Sequence, residues 1–437
     1  MSVIVAKFGG SSLADANQIL KCKKIIDADP NRRYIVPSAP GKRFYGDEKI
    51  TDLLYRLYNE ENKAGSEAYK KILDRYAQIR DGLGLKLDIE AHIQKILDDL
   101  IKGASADFAA SRGEYLNGLL IADLLGYDFI DAADVIFFNE KGIYDHEKTI
   151  SVFSAVLKNH QRAVIPGFYG RMPDGSIKTF SRGGSDITGS IVACAAGAVL
   201  YENWTDVSGF LKADPRIVQN PKKIDTITYR ELRELAYMGA TVLHEDSIFP
   251  VLQVAIPISV KNTNDPENSG TMIVPTLDKD TASDETITGI AGKKDFTVIT
   301  IEKNGMNAEI GFGRRVLSCL EKHNISFEHI PSGIDSLCVV IADCRVNGCI
   351  DKLVDEIHRT CTPDSVEVSS NMALIATVGR GMIRRVGISA KLFAALAENG
   401  VNVRMIDQGS SEMNIIVGVE ESDFENAVRA IYNAFTK

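Results

Sequence analysis

The chain lacks most of the features that would mark an unusual setting. Among its 437 residues there is one tryptophan, no CxxC pair and no zinc-ligand spacing. Its longest apolar run, Ile191–Tyr201, falls well short of the roughly 20 residues a helix needs to cross a bilayer. No membrane partner is expected. The seven cysteines are an odd number without paired spacing and read as reduced thiols of a cytoplasmic protein. The opening "SVIVAKF" has no basic segment and no cleavage site, so no signal peptide is expected there. Positive charge is also short: 50 Lys and Arg stand against 59 Asp and Glu, a net of -9. That balance argues against a nucleic-acid partner, which needs a basic face. No GxxxxGK[ST] loop is present, and "VGRGMIRR" has Arg384 where a dinucleotide fingerprint needs glycine.

What is present is an ordinary globular composition, 45% hydrophobic and 25% charged, in a chain long enough for two or three domains. Strand-like runs ("VIVAKF", "RYIVPS", "DFIDAADVIFF", "RAVIPGFYG", "LYENWTDV", "IPISVKN") alternate with helical patterns up to about residue 260. That alternation predicts an open, mostly parallel α/β sheet sandwiched by helices, with ligands at the carboxyl ends of its strands. The charged helical stretch about 55–105 is expected to form a solvated subdomain. A polar stretch, 273–289, reads as a linker into a second domain. Beyond it lies an ungapped duplication at an offset of 76 residues, with 317–341 matching 393–417. Gly311 matches Gly387 and Gly333 matches Gly409. Each copy reads as a βαββαβ unit, and the pair predicts two small sheets side by side.

Five stretches carry candidate chemistry. "KFGGSS" (Lys7, Gly9, Gly10, Ser11) ends a strand with a lysine and two glycines. It is either a tight turn or a phosphate cradle, in which backbone N–H groups and a helix N-terminus meet an anion and Lys7 neutralises a phosphoryl oxygen. "SRGGSD" brings Arg182 and Asp186 to a second glycine turn. Arginine's planar fork suits a carboxylate; the bland alternative makes Ser185 and Asp186 helix caps. "NWTDVSGFLKADPR" places Asp206 and Asp214 eight apart, either to hold Mg²⁺ and position lysines or to cap turns. Lys261 ends a buried-looking strand, where its charge needs an anion. Glu114 in "SRGE" is either a capping-box acid or a partner for a substrate ammonium.

Together these motifs closely resemble the aspartate kinase family of the amino-acid kinase superfamily, over nearly the whole chain. "KFGGSS", "RGGSD", "WTDVSGFLKADPR" and "IPISVKNTNDPENSGTMI" resemble that family's signatures, and the duplication resembles its paired ACT domains, which sense amino acids. The resemblance implies an amino-acid kinase fold over 1–280 and a regulatory region over 281–437. There a ferredoxin-like ACT unit about 304–374 would be inserted into a second, about 290–303 plus 375–437. The implied reaction moves the γ-phosphoryl of ATP onto the side-chain carboxylate of L-aspartate, giving 4-phospho-L-aspartate. It is the first step towards lysine, threonine and methionine.

The same resemblance implies catalytic roles for Lys7, Asp186 and Lys261, and aspartate binding by Ser38, Thr51, Glu114 and Arg182. ATP would meet Lys7, Gly9, Gly10, Ser11, Thr205, Asp206, Leu211, Asp214, Arg216, Lys261 and Asn262. No metal is expected from protein ligands alone; Mg²⁺ would come with ATP, and no organic cofactor is implied. Lysine, threonine or both would act as effector near Met306, Glu309, Phe312, Ser326, Phe327, Glu328, Ser332, Gly333 and Ile334, in a homodimer or dimer of dimers joined through ACT domains. The alternative readings are an acetylglutamate or glutamate kinase, and a catalytically dead amino-acid sensor. The loop "PGKRFYGDEKI" before Thr51 is longer than the family's usual one.

Overall fold

The computed structural model describes residues 2–436 apart from 182, 241, 242, 244, 278–284 and 347. Its contacts divide the chain into two units, one of residues 1–210, 223–232 and 241–281, the other of 211–222, 233–240 and 282–437.

The first unit is built on eight strands: β1 (Ile4–Phe8), β2 (Arg32–Pro37), β3 (Asp128–Phe129), β4 (Ala163–Val164), β7 (Leu200–Thr205), β8 (Thr226–Thr228), β9 (Ile258–Asn262) and β10 (Thr271–Val274). They lie in the order β3-β4-β2-β1-β7-β9-β10-β8. All neighbours are parallel except β9 and β10. The remaining two strands, β5 (Tyr169–Arg171) and β6 (Ile177–Thr179), form a separate hairpin. Every residue of β1 is buried, as expected for a central strand covered by helices on both faces. Five of the helices start where the sequence offers a side-chain acceptor: Asp15, Ser66, Asp88, Ser105 and Asp145 each accept a first-turn N–H.

Three local expectations change. "DFIDAADVIFF" is a two-residue strand followed by a short helix, Ala132–Val135, because Asp131 accepts the N–H of Ala133 at 3.0 Å and caps it. "RAVIPGFYG" splits into β4 and β5: Pro166 has no N–H to continue a ladder, and Phe168 turns the backbone at φ 81°. The charged stretch 55–105 is solvated on one face only. Ile72, Tyr76, Ile79, Ile93 and Leu97 share one apolar cluster with Phe8 and Ile35 of the sheet. Of the expected linker, Ile273 and Val274 belong to β10 and Gly289 opens the next strand, while 278–284 lie outside the described residues.

In the second unit the duplicated halves share one sheet instead of forming two. Its strands are β11 (Gly289–Glu302), β12 (Ser336–Ala342), β13 (Ser365–Val378), β14 (Val403–Asp407) and β15 (Asn414–Glu420), all antiparallel in the order β12-β11-β13-β15-β14. Strands β11 and β13 are 14 residues each and serve both copies. Phe296–Glu302 pairs with β12, whereas Gly289–Lys293 pairs with Leu374–Val378, whose other edge takes β15. A register shift between Lys293 and Phe296 separates the halves. Helices Phe312–Lys322 and Ile350–Cys361 cover the first half; Ile388–Glu398 and Phe424–Thr436 cover the second. Both copies leave the same loop position bare: Ile310 is 97% exposed and Val386, 76 residues on, 100%.

Candidate active site

The parallel register gathers the quoted motifs at one edge of the first unit's sheet. In β1–β7, Lys7 lies opposite Asn203 and Phe8 opposite Trp204; in β7–β9, Trp204 lies opposite Lys261 and Thr205 opposite Asn262. All of these are at carboxyl ends, where a parallel sheet offers its ligand crevice.

Lys7 is 7% exposed. Its Nζ lies 2.6 Å from Asp186 Oδ1 and donates to Asn203 Oδ1 at 3.4 Å, while Asn203 Nδ2 donates to Asp186 Oδ1 at 2.9 Å. The three groups form a closed, charge-assisted set. Asp186 reaches it from the first turn of helix Gly184–Ala196, whose cap is Gly183 in the left-handed region with no side-chain cap. Neither Ser185 nor Asp186 caps this helix, so the Asp186 carboxylate is left to Lys7. The helix sits tight on β7 at Gly189, where a Cβ would come within 2.5 Å of the Tyr201 hydroxyl; that hydroxyl donates to Asp186 O at 3.1 Å.

Gly10 is required by a close backbone approach, since a Cβ there would lie 2.9 Å from Ala39 O. The N–H of Gly9 is bonded to Trp204 O at 2.9 Å and continues the sheet. Ser38 donates its N–H to Phe8 O at 3.1 Å, and its carbonyl accepts from Asn117 Nδ2 at 2.7 Å. Thr51 stands in the first turn of helix Ile50–Asn59.

Glu114 is no capping acid. Ser105 caps its helix, Ala106–Leu125, and Glu114 lies in the middle of it, 5% exposed, with Oε2 buried and unpartnered. Burial pushes its carboxyl up to about 8, against the pull of the Ala39 N–H, Arg112 and Lys7. A group in that state is prepared for a cation.

On the other side of β7, Lys261 Nζ lies 5.0 Å from the Trp204 ring centroid, and no carboxylate among the described residues pairs with it. Asn262 donates to Ser208 Oγ at 3.0 Å. Asp206 is exposed and, among the described residues, accepts only from the neighbouring Thr205 hydroxyl at 3.1 Å, whereas Asp186 is the acid paired with Lys7. Leu211, Asp214 and Arg216 belong to the second unit. There Asp214 holds its turn by accepting from the Arg216 N–H at 2.8 Å and pairs with the guanidinium at 2.6 Å. Arg182 lies outside the described residues.

Sequence reasoning did not find Asn203, although it sits inside the quoted "NWTDV"; only the strand register puts it beside Lys7. It also did not find the cluster in which Asp107 accepts from Lys178 at 2.9 Å and Thr179 at 2.6 Å. That cluster lines a cavity of about 690 Å³ with Tyr55, Phe168 and Ser181. Among the described residues no three His, Cys, Asp or Glu are grouped to hold a metal.

The residues expected to meet an effector in the first copy fall into two touching stretches, with the Asn307 N–H donating to Ile334 O at 3.1 Å. Glu309 pairs with Lys303 at 2.7 Å and with Arg315, and the Lys303 hydrogen bond holds its carboxyl below the usual range. Met306 and Phe312 are buried beneath. Phe327 and Ile334 are exposed, and Glu328 accepts from the Tyr237 hydroxyl. Ser326, Ser332 and Gly333 complete these stretches, with Gly333 N–H donating to Ser336 O at 2.7 Å.

Comparison with known proteins agrees with this geometry. The amino acid kinase family profile matches residues 2–262, and an ACT domain profile matches 375–435. Aspartokinase 3 of Bacillus subtilis is 38% identical over 99% of this chain and 98% of its own. The crystal structure of Clostridium acetobutylicum aspartate kinase superposes over the whole of both chains at 55% identity and a TM-score of 0.90. Escherichia coli aspartokinase III in complex with aspartate and ADP does so at 27% identity and a TM-score of 0.79. With lysine and aspartate bound, the TM-score for that enzyme is 0.75. A buried lysine–aspartate pair at the sheet's carboxyl edge, a duplicated C-terminal sensor and full-length similarity to these enzymes lead to one conclusion: the chain belongs to the amino acid kinase family, as an aspartokinase with ACT domains.

Proposed function

We propose that ATP-dependent phosphorylation of the L-aspartate side-chain carboxylate is carried by the buried set at the carboxyl edge of β1, β7 and β9. The observation that supports this most is the Lys7–Asp186–Asn203 arrangement. Both reactants are anions, so catalysis is chiefly positioning and charge neutralisation. Lys7 is pre-oriented by Asp186 and Asn203 and meets the phosphoryl group in flight. Lys261 stands one strand beyond β7, about 10 Å from Lys7 by strand spacing, and holds the other end of the polyphosphate. Gly9, Gly10, Ser11, Thr205, Asp206 and Asn262 surround the nucleotide. Glu114 receives the α-ammonium of aspartate, and Ser38, Thr51 and Arg182 its oxygens.

Mg²⁺ enters with ATP and adds charge neutralisation on the phosphate oxygens. Two carboxylates described at this edge are the exposed Asp206 and Asp186, and the latter is committed to Lys7. That donor set fits an ion ligated mainly by the nucleotide.

In the second unit we read one ACT unit from about 296 to 372 inserted within a second made of about 289–293 and 373–437, because Phe296–Glu302 pairs with β12 and packs in the first copy's core. Lysine, threonine or both act on the stretches Met306–Phe312 and Ser326–Ile334. The bare apolar positions Ile310 and Val386 suit a cytoplasmic homo-oligomer joined through these loops. One assay tests the reading: acyl-phosphate trapped as hydroxamate, with aspartate or glutamate as acceptor, alone and with lysine, threonine or both. Turnover with aspartate, lowered by an effector, is expected. Turnover on glutamate alone overturns the reading.

A further inference from the structure

Helix Ala106–Leu125 carries, besides Glu114, a carboxylate whose bonds reach another element of the site. Asp107, in its first turn, accepts from Thr179 Oγ1 at 2.6 Å and from Lys178 Nζ at 2.9 Å, both on β6. The bond to the hydroxyl is short and charge-assisted, so it fixes the end of the strand against the helix. Lys178 offsets the charge of Asp107, whose side chain is 28% exposed on the wall of the cavity of about 690 Å³. The proposed function leaves these three residues without a role.

The two elements joined in this way are those that carry the proposed aspartate-binding groups. Glu114 follows Asp107 by two helical turns, which puts both on one face of the helix, about 10 Å apart along its axis. In the other direction the sequence passes from Thr179 through Phe180 and Ser181 to Arg182, and then into helix Gly184–Ala196 with Asp186 in its first turn. This turn is also held from within its own region. The Phe180 N–H donates to Phe168 O at 2.9 Å, and the Phe168 N–H donates to Thr188 Oγ1 of helix Gly184–Ala196 at 3.0 Å. Gly184 leaves room for the Phe168 ring, which a Cβ would approach to 2.5 Å. Those bonds fix the turn to the helix that follows it, whereas Asp107 ties it to the helix of Glu114.

We infer that Asp107 is a positioning residue for aspartate binding: by holding Thr179 it sets the distance between the helix of Glu114 and the turn after β6, and so between the groups that receive the substrate's ammonium and carboxylate. The inference rests on the roles given above to Glu114 and Arg182. Aspartate is short and its charges are a fixed distance apart, so its binding depends steeply on that spacing; a misplacement of about 1 Å is worth about a hundredfold in rate. ATP, which the same reading assigns to β1, β7 and β9, does not depend on this tie.

The test measures kcat and the KM values for aspartate and ATP in the full-length enzyme, with a melting curve for each variant. Asp107→Ala is expected to raise the aspartate KM about tenfold or more, with kcat changed less and the ATP KM within about twofold. Thr179→Val moves the aspartate KM the same way, and Thr179→Ser, which keeps the hydroxyl, restores it. The double variant has an aspartate KM no higher than Asp107→Ala alone, because both changes break the same bond. If Asp107→Ala does not fold, the two threonine variants carry the test. Glu114→Gln and Arg182→Met supply the controls. A control that keeps the unmodified aspartate KM overturns the reading of that group. Controls that raise it, beside folded Asp107→Ala or Thr179→Val enzyme that leaves it unmoved, overturn the inference for Asp107. A lowered melting temperature with an unchanged aspartate KM makes Asp107 a fold-stabilising contact only. Equal rises in the KM for aspartate and for ATP mean a general disturbance of the sheet edge, and either result overturns the inference.

Discussion

Ionisable groups in the two units are held in opposite ways. At the sheet edge of the first unit, Lys7 and Glu114 are nearly sealed from solvent, and Lys7 is tied at once to an acid and an amide. In the second unit, in the loops proposed to meet an effector, Glu309 pairs with Lys303 and Arg315 beside Ile310, which is almost fully exposed. Buried pairs are expensive to disturb and hold their geometry when a reacting group arrives. Half-buried pairs of this kind are held less firmly than sealed ones. The first arrangement is preorganised, and the second leaves its charges closer to solvent.

The sharpest way to break that contrast is Lys7→Ala. It is expected to lower kcat a hundredfold or more and to lower the melting temperature, because Asp186 keeps only Asn203. Adding Asp186→Asn should recover much of the stability and none of the activity; hydroxamate assay and thermal melts read the two effects separately. An active Lys7→Ala enzyme would sink the catalytic assignment.

Next in size is Gly10→Ala. Its Cβ would press on Ala39 O at 2.9 Å, so the turn must shift, at a cost of about 1–3 kcal/mol. Denaturant unfolding measures the loss, and kcat falls with it.

The third effect is one of pH on stability. Folding raises the Glu114 carboxyl to about 8, so between its ordinary value near 4.5 and 8 the folded chain binds more protons than the unfolded one. Stability from this group is therefore full below about 4.5 and is lost as pH rises through 8. Glu114→Gln removes that slope, and the difference between the two stability–pH curves checks it.

The smallest effect on stability belongs to Glu309→Gln. Its half-buried pairing predicts only a small drop in melting temperature but a shifted inhibition curve with lysine or threonine.

Much of this architecture could be read without coordinates. A buried strand ending in a lysine and two glycines can be recognised from local spacing alone, as can a fixed 76-residue repeat and serine or aspartate at helix starts. Mistakes arose where one residue overrode a run of its neighbours. Asp131 turned a strand pattern into a capped helix, and Pro166 with Phe168 cut another in two. The repeat was visible, but the sharing of β11 and β13 by both copies was not, because a period says nothing about which strands pair.

The sequence by itself determined the parallel α/β class, the glycine turns, the acids and lysines that serve them, and the duplication. All of these are written in residue types a few positions apart. Only the tertiary structure decided that Asp186 rather than Asp206 holds Lys7, that Asn203 joins them, and that Glu114 is sealed from solvent. Those outcomes depend on burial and on contacts between distant residues, 196 positions apart for Lys7 and Asn203. Charge state and pairing are properties of the packed environment, and no local pattern records them.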